Sequence, residues 1–239
     1  MGIRFEEIDF QPTALGGLSL RRRREPSLGT EVHEIKLDDD FLMSSLFTEA
    51  EIQLATLGLA AARHDRLDVA VGGLGLGYTA RAVLREPRVR SLVVIDALAE
   101  VIGWHQRGLL PLGPELTGDQ RCRLLHGDFF AAAATDAGLD PATPGRRFHA
   151  ILVDIDHAPD HVLHPSHAAF YEPDGLRRLA THLHPGGVFA LWSNDPPHSG
   201  FLASLGEVFT GCRAHEVSFH NFLQGRPAAN TIYLATRPE

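Results

Sequence analysis

Four aspartates stand where they could do chemistry. Asp96 ends "SLVVID", Asp128 ends "CRLLHGD", and Asp154 and Asp156 close "FHAILVDID", each at the carboxyl end of a short apolar run. A carboxylate so placed can accept hydrogen bonds from sugar hydroxyls or an exocyclic amine, or take a proton from an attacking amine. His157 follows directly, and an imidazole with an unperturbed pKa of roughly 6.5 suits proton transfer near neutrality. Upstream, "VGGLGLG" places glycines at 73, 75 and 77 between an apolar run and a helical one. Such glycines leave bare amides at a helix N-terminus, where amides and helix dipole meet a polar ligand at close range.

The spacing narrows the ligand. Asp96 lies 19 residues after Gly77, a position from which a carboxylate can hold both hydroxyls of a ribose. Asp128 can accept from an adenine amino group, with Phe129 beside the base. Each aspartate can equally cap the helix that follows it. A nicotinamide-type loop would read G-x-G-x-x-G, but counting from Gly73 the last position is Tyr78, which disfavours a nicotinamide-dependent reductase. His157, His161, His164 and His167 recur every three or four residues, yet Pro159 and Pro165 break any helix that would align them. They read as surface or pocket-lining rings, and no metal site is expected.

The elements that must position these groups alternate. From Leu67 onward, apolar strands "LDVAVG", "SLVVID", "CRLLHGD", "FHAILVDID" and "GVFALWSN" are separated by helical segments, and "AHEVSFHN" with "TIYLATR" closes the chain as an antiparallel pair. Continuous apolar strands between helices predict a doubly wound α/β fold: a seven-stranded, mostly parallel, Rossmann-like sheet covered on both faces. Ligands bind such sheets at the carboxyl ends of the strands, where the four aspartates fall. Residues 1–47 read differently: "LSLRRRR", "EVHEIKL" and "FLMSS" are short strands split by turn signals, a small β-hairpin lobe preceding a ligand-binding domain over 48–239. The basic run Arg21–Arg24 reads as a solvated strand face. "TEAEIQLATLGLAAAR" reads as a helix with Thr48 and Glu51 spaced as a capping box.

Composition sets the outer bounds. A formal net charge of -8 argues against a general nucleic-acid binder, and 44% hydrophobic residues supply a substantial core. Two cysteines without metal-ligand spacing, no signal-peptide-like N-terminus and no 18-residue apolar run suit a cytoplasmic protein that does not enter a membrane. A small sheet needs a surface to pack on, so a symmetric homodimer is expected.

Taken together, "VGGLGLG", "VVID", "GDF", "ILVDID" and "HPGGVFALWS" resemble the S-adenosylmethionine-dependent methyltransferase fold, and within it the spermidine synthase-like (polyamine aminopropyltransferase) family. "EVHEIKLDDDFLMSS" is similar to that family's N-terminal lobe and "AAFYEPDGLRRLATHLHPGG" to its segment after the fourth strand. The resemblance implies a transferase that alkylates a small amine acceptor from S-adenosylmethionine or its decarboxylated form. It implies Asp96 on the ribose, Asp128 and Phe129 at the adenine, Gly73, Gly75 and Gly77 at the amino-acid end, and Tyr171 lining the substrate pocket. Asp154, Asp156 and His157 are the candidate catalytic groups. Two departures are plain. Gly75 stands where the family's G-G-G-D-G-G loop has an aspartate that pairs with the amino group of the decarboxylated nucleoside, and His157 stands at the second aspartate of its D-x-x-D-P. A small-molecule methyltransferase and a non-catalytic nucleoside-binding homologue are the alternatives.

Overall fold

The computed structural model describes residues 5–13 and 16–239. The first strands form a four-stranded antiparallel sheet: β1 Phe5–Thr13, β2 Gly16–Arg24, β3 Glu31–Leu37 and β4 Asp40–Ser44, in that spatial order. The sequence reading starts this sheet one strand later and leaves out β1. Residues 1–4, the beginning of the expected lobe, lie outside the described residues. The arginines of β2 meet glutamates across the strands: Arg23 pairs with Glu34 at 2.8 Å, Arg21 with Glu7 at 3.6 Å, and Arg22 with Glu6. Leu18, Leu20 and Ile35 enter the same apolar core as Leu54 and Leu76. Asp9 adds a polar tether, accepting from Trp104 Nε1 at 2.7 Å and Arg107 Nη2 at 2.6 Å.

Helix α1, Glu49–Ala61, leads into the main sheet. Its expected capping box does not form: Thr48 makes no side-chain cap, and the Glu49 carboxylate accepts from the Thr48 amide instead. There follow β5 Leu67–Gly72, α2 Tyr78–Arg85, β6 Val89–Asp96, α3 Ala99–Gln106, α4 Gly113–Gly118, β7 Cys122–His126, α5 Phe129–Ala133 and β8 Phe148–Val153. A short 3-10 helix (Pro165–Phe170) and α6 Pro173–Thr181 precede β9 Leu183–Ser193, α7 Ser199–Gly206, β10 Thr210–Asn221 and β11 Arg226–Thr236. The seven strands lie in the order β10-β11-β9-β8-β5-β6-β7; β5 through β9 run parallel, and β10 and β11 are antiparallel.

Both faces are covered, which explains the unbroken apolar strands. Val69, Val71, Leu92, Val94, Ala150 and Leu152 face one core, shared with α1 and α2. Ala70, Val93, Ile95, Ile151 and Val153 face the other, shared with α5, α6 and α7. The chain leaves β5 toward β6 and β7, then returns on the opposite side as β8. That reversal opens a crevice above the carboxyl ends of β5, β6 and β8. No helix among the described residues is long and apolar enough to cross a membrane.

Candidate active site

The glycine loop is built as much by its neighbours as by its own residues. Gly73, Gly75 and Gly77 have φ of +91°, +46° and +91°, a region that side chains rarely adopt. A Cβ at each would also collide with protein: at Gly73 with the Asp154 carbonyl at 2.0 Å, at Gly75 with Met43 Sδ at 2.6 Å, and at Gly77 with Leu116 at 2.6 Å. The loop amides are not bare, contrary to the expectation from sequence. Gly73 N donates to Ile95 O, Leu74 N to Asp96 Oδ2 at 2.8 Å, Gly77 N to Leu74 O, and Leu76 N to the thioether of Met43 at 3.1 Å. Only the last acceptor is a weak one.

Asp96 ends β6 and faces this loop. One oxygen accepts from Leu74 N and the other from Leu98 N, both at 2.8 Å, and the Gly75 amide also bonds the carboxylate, which leaves lone-pair capacity for one further donor such as a ribose hydroxyl. Burial holds its pKa above the usual carboxylate value, against the pull of these amides. Asp128 ends the turn after β7, where it caps α5 by accepting from Ala131 N at 3.0 Å. Phe129 is elsewhere than expected. Its ring is 2% exposed, packed under Gly72 and edge-on to Phe130 and Phe170. Phe130, not Phe129, lines a cavity of about 400 Å³ next to Asp128, together with Ala131, Ser166 and Ala169.

Beyond β8 the two aspartates part company. Asp154 stays at the strand end: its amide donates to Gly72 O, and its Oδ2 accepts from the Thr79 hydroxyl at 2.7 Å. Burial raises its pKa to about 6. Glu51, on the first turn of α1, is raised to about 8, chiefly by burial and then by the charge of Asp154. No arginine or lysine among the described residues offsets either shift. Two partly buried carboxylates thus repel each other beside the loop. Asp156, 1% exposed, turns inward and is saturated by Leu163 N at 2.8 Å, His167 Nδ1 at 2.9 Å and the Tyr171 hydroxyl at 2.8 Å. His157 is half-buried, its carbonyl accepting from Asn194 N at 2.7 Å and its ring 5.0 Å from that of His161.

No family model matches the chain. A curated relative, polyamine aminopropyltransferase 2 of Pseudomonas aeruginosa, is 29% identical over 189 residues, which is 75% of this chain and 49% of the relative. The chain therefore spans about half the length of the curated relative it matches. Spermidine synthase from Thermotoga maritima superposes with a TM-score of 0.71 over 96% of this chain and 72% of that one, at 16% identity. A spermidine synthase in complex with the transition-state analogue AdoDATO gives 0.70 at the same coverage and identity. The chain thus shares the methyltransferase-like fold of these spermidine synthases and is similar in sequence to a polyamine aminopropyltransferase. Human methyltransferase-like protein 13, in complex with SAH, superposes with a TM-score of 0.57 at 19% identity, over 80% of this chain and 82% of that one.

Within this fold, the structure gathers Gly73, Gly75, Gly77, Asp96, Asp154 and Glu51 around one crevice. It sends other expected residues elsewhere. Tyr171 is buried and bonded to Asp156, its own pKa raised far above normal by burial and that carboxylate, so it braces the segment after β8 instead of lining a pocket. Asp156 is likewise an internal anchor and not an available base. Of the clustered histidines, His167 stacks on Phe130 at 4.0 Å, while His161 and His164 are exposed. No group of three or more potential metal ligands is found among the described residues. Sequence reasoning missed Glu51, Met43 and Thr79 as neighbours of the site. Glu51 carried one usable signal: a glutamate in a helix whose capping box then went unused.

Proposed function

We propose that the chain is an aminopropyltransferase that uses decarboxylated S-adenosylmethionine to alkylate a small amine. The observation that carries this reading is the pair Glu51 and Asp154, two carboxylates beside the glycine loop whose raised pKa values no cation among the described residues offsets. The amino tail of the decarboxylated nucleoside is an ammonium that relieves their repulsion, so Glu51 takes over the task of the carboxylate missing at Gly75. Intact S-adenosylmethionine would bring a third carboxylate to the same place, which costs rather than gains Coulomb energy. Asp96 would hold the ribose, and Asp128 would reach the base.

The sulfonium supplies an electrophilic carbon, so the protein's work is alignment and proton removal. The acceptor must attack as a neutral amine. Its lone pair forms the C–N bond while the C–S bond breaks, its electrons passing to sulfur to give a neutral thioether. The proton released from nitrogen goes to His157, the imidazole that follows Asp156 directly and is free of the contacts that engage that carboxylate. A homodimer in the cytoplasm is part of the same proposal.

Calorimetry with the two nucleosides side by side, on wild type and Glu51→Gln, tests it. The expected result is at least tenfold preference for the decarboxylated form, shrinking in Glu51→Gln. Preference for the intact form would move the protein to methyl transfer. Binding of neither would remove the nucleoside site.

A further inference from the structure

We infer that His105 is a positioning residue for the glycine loop. The inference rests on the nucleoside reading for its functional meaning, but the structural part stands apart from it. His105 lies on α3 and is 0% exposed. Its Nε2 lies 2.9 Å from the Gly75 carbonyl, and a carbonyl only accepts, so Nε2 carries the proton and donates. The edge of the same ring lies 3.0 Å from where a Cβ of Gly77 would stand, and its backbone carbonyl lies 2.5 Å from that of Gly113. One residue therefore supports the loop at Gly75, adds to the crowding at Gly77, and packs closely against Gly113 of α4.

The second ring nitrogen identifies this as more than packing. Burial lowers the pKa of His105, keeping the ring neutral, and with Nε2 protonated Nδ1 is a bare acceptor. Nδ1 is buried and has no hydrogen-bond partner among the described residues. A leucine would fill this volume without stranding a polar atom, and stranding one in a core is costly. The fold retains the imidazole because the Gly75 carbonyl needs a donor from below. From above, the loop is held at Leu76 N only by the Met43 thioether. The lower contact is thus the firm one, and it fixes the direction of the peptide on which the nucleoside would rest.

The test compares His105→Gln, whose amide nitrogen can reach Gly75 as Nε2 does, with His105→Leu, which keeps volume and removes the donor. Amide hydrogen exchange of residues 74–79 in the ligand-free protein is read together with calorimetric affinity for decarboxylated S-adenosylmethionine. In His105→Leu the loop amides should exchange at least tenfold faster, with β5 unchanged, and affinity should fall tenfold or more. In turnover the loss should fall on the KM for the nucleoside and spare kcat. His105→Gln should stay within threefold of wild type on every measure. Equal behaviour of the Gln and Leu variants, whether both unchanged or both impaired, would overturn the inference, since volume and not the donor would then matter. If His105→Leu does not fold, His105→Asn replaces it, because its amide nitrogen matches Nδ1 in reach and not Nε2. Should wild type bind no nucleoside, the exchange data still decide the role of His105, and only the reading of the site fails.

Discussion

Buried carboxylates occur at both ends of the main sheet, and they live under opposite conditions. At the amino ends of the strands, Asp68 and Asp140 are bridged by Arg146, at 3.0 and 2.9 Å, with Arg90 also on Asp68 and Arg123 also on Asp140. Burial pushes both pKa values up, but the hydrogen bonds and charges of those guanidinium groups prevail and hold them below normal. At the carboxyl ends, Asp96 has only backbone amides, Asp154 a single hydroxyl, and Glu51 the repulsion of its neighbour. There burial prevails and all three are raised. The same chemistry therefore serves two ends: acids matched by arginines hold the strands in place, and acids left unmatched are suited to receive a cation.

The contrast can be broken from either side. The largest effect on stability is expected from Asp140→Ala, which leaves Arg146 and Arg123 short of a buried partner. It should cost about 3 kcal/mol in chemical denaturation, with nucleoside affinity unchanged in the protein that remains folded. Asp154→Asn should do the reverse. Its kcat/KM should drop on the order of 100-fold, while its denaturation midpoint holds or rises because an unpaired buried charge is gone. A fall in stability like that of Asp140→Ala would erase the distinction between the two ends. Asp96→Ala should weaken nucleoside binding roughly tenfold through lost hydrogen bonds, read by calorimetry.

The smallest effect sharpens the comparison through pH. Glu51 and Asp154 have folded-state pKa values raised to about 8 and about 6. Their contribution to stability is present below the unfolded carboxylate range, roughly pH 4, and is lost as pH rises through 6 and 8. For Asp68 and Asp140 the sign is opposite, and stability is lost as pH falls through their depressed values. Thermal melts of the ligand-free protein should thus decline between pH 6 and 8, less so in Glu51→Gln. Affinity for the decarboxylated nucleoside should rise several-fold over that interval, the two acids titrating as a coupled pair.

The fold was legible because strands buried on both faces are apolar throughout, and the strand ends fell where Asp96, Asp128 and Asp154 stand. What stayed hidden was direction and distance. "FF" after Asp128 does not say which ring turns to the core, and it is Phe129. "DID" does not say where the strand stops, and once the chain leaves β8 Asp156 points inward to His167 and Tyr171. β1 was missed because it is an edge strand whose alternating pattern is weakened by paired acids and Pro12. Glu51, Met43 and His105 reach the site only through tertiary packing, which no local pattern announces.

The glycine loop has a consequence for portability. Its segment is short enough to transplant into another parallel sheet, and its turn would travel with it. Its grip would not. Met43, Asp96, His105 and Asp154 all lie outside the segment and bond to it directly, each 22 or more residues away from the residue it holds. A graft of "VGGLGLG" alone would carry the motif and leave behind the surroundings that give it a shape.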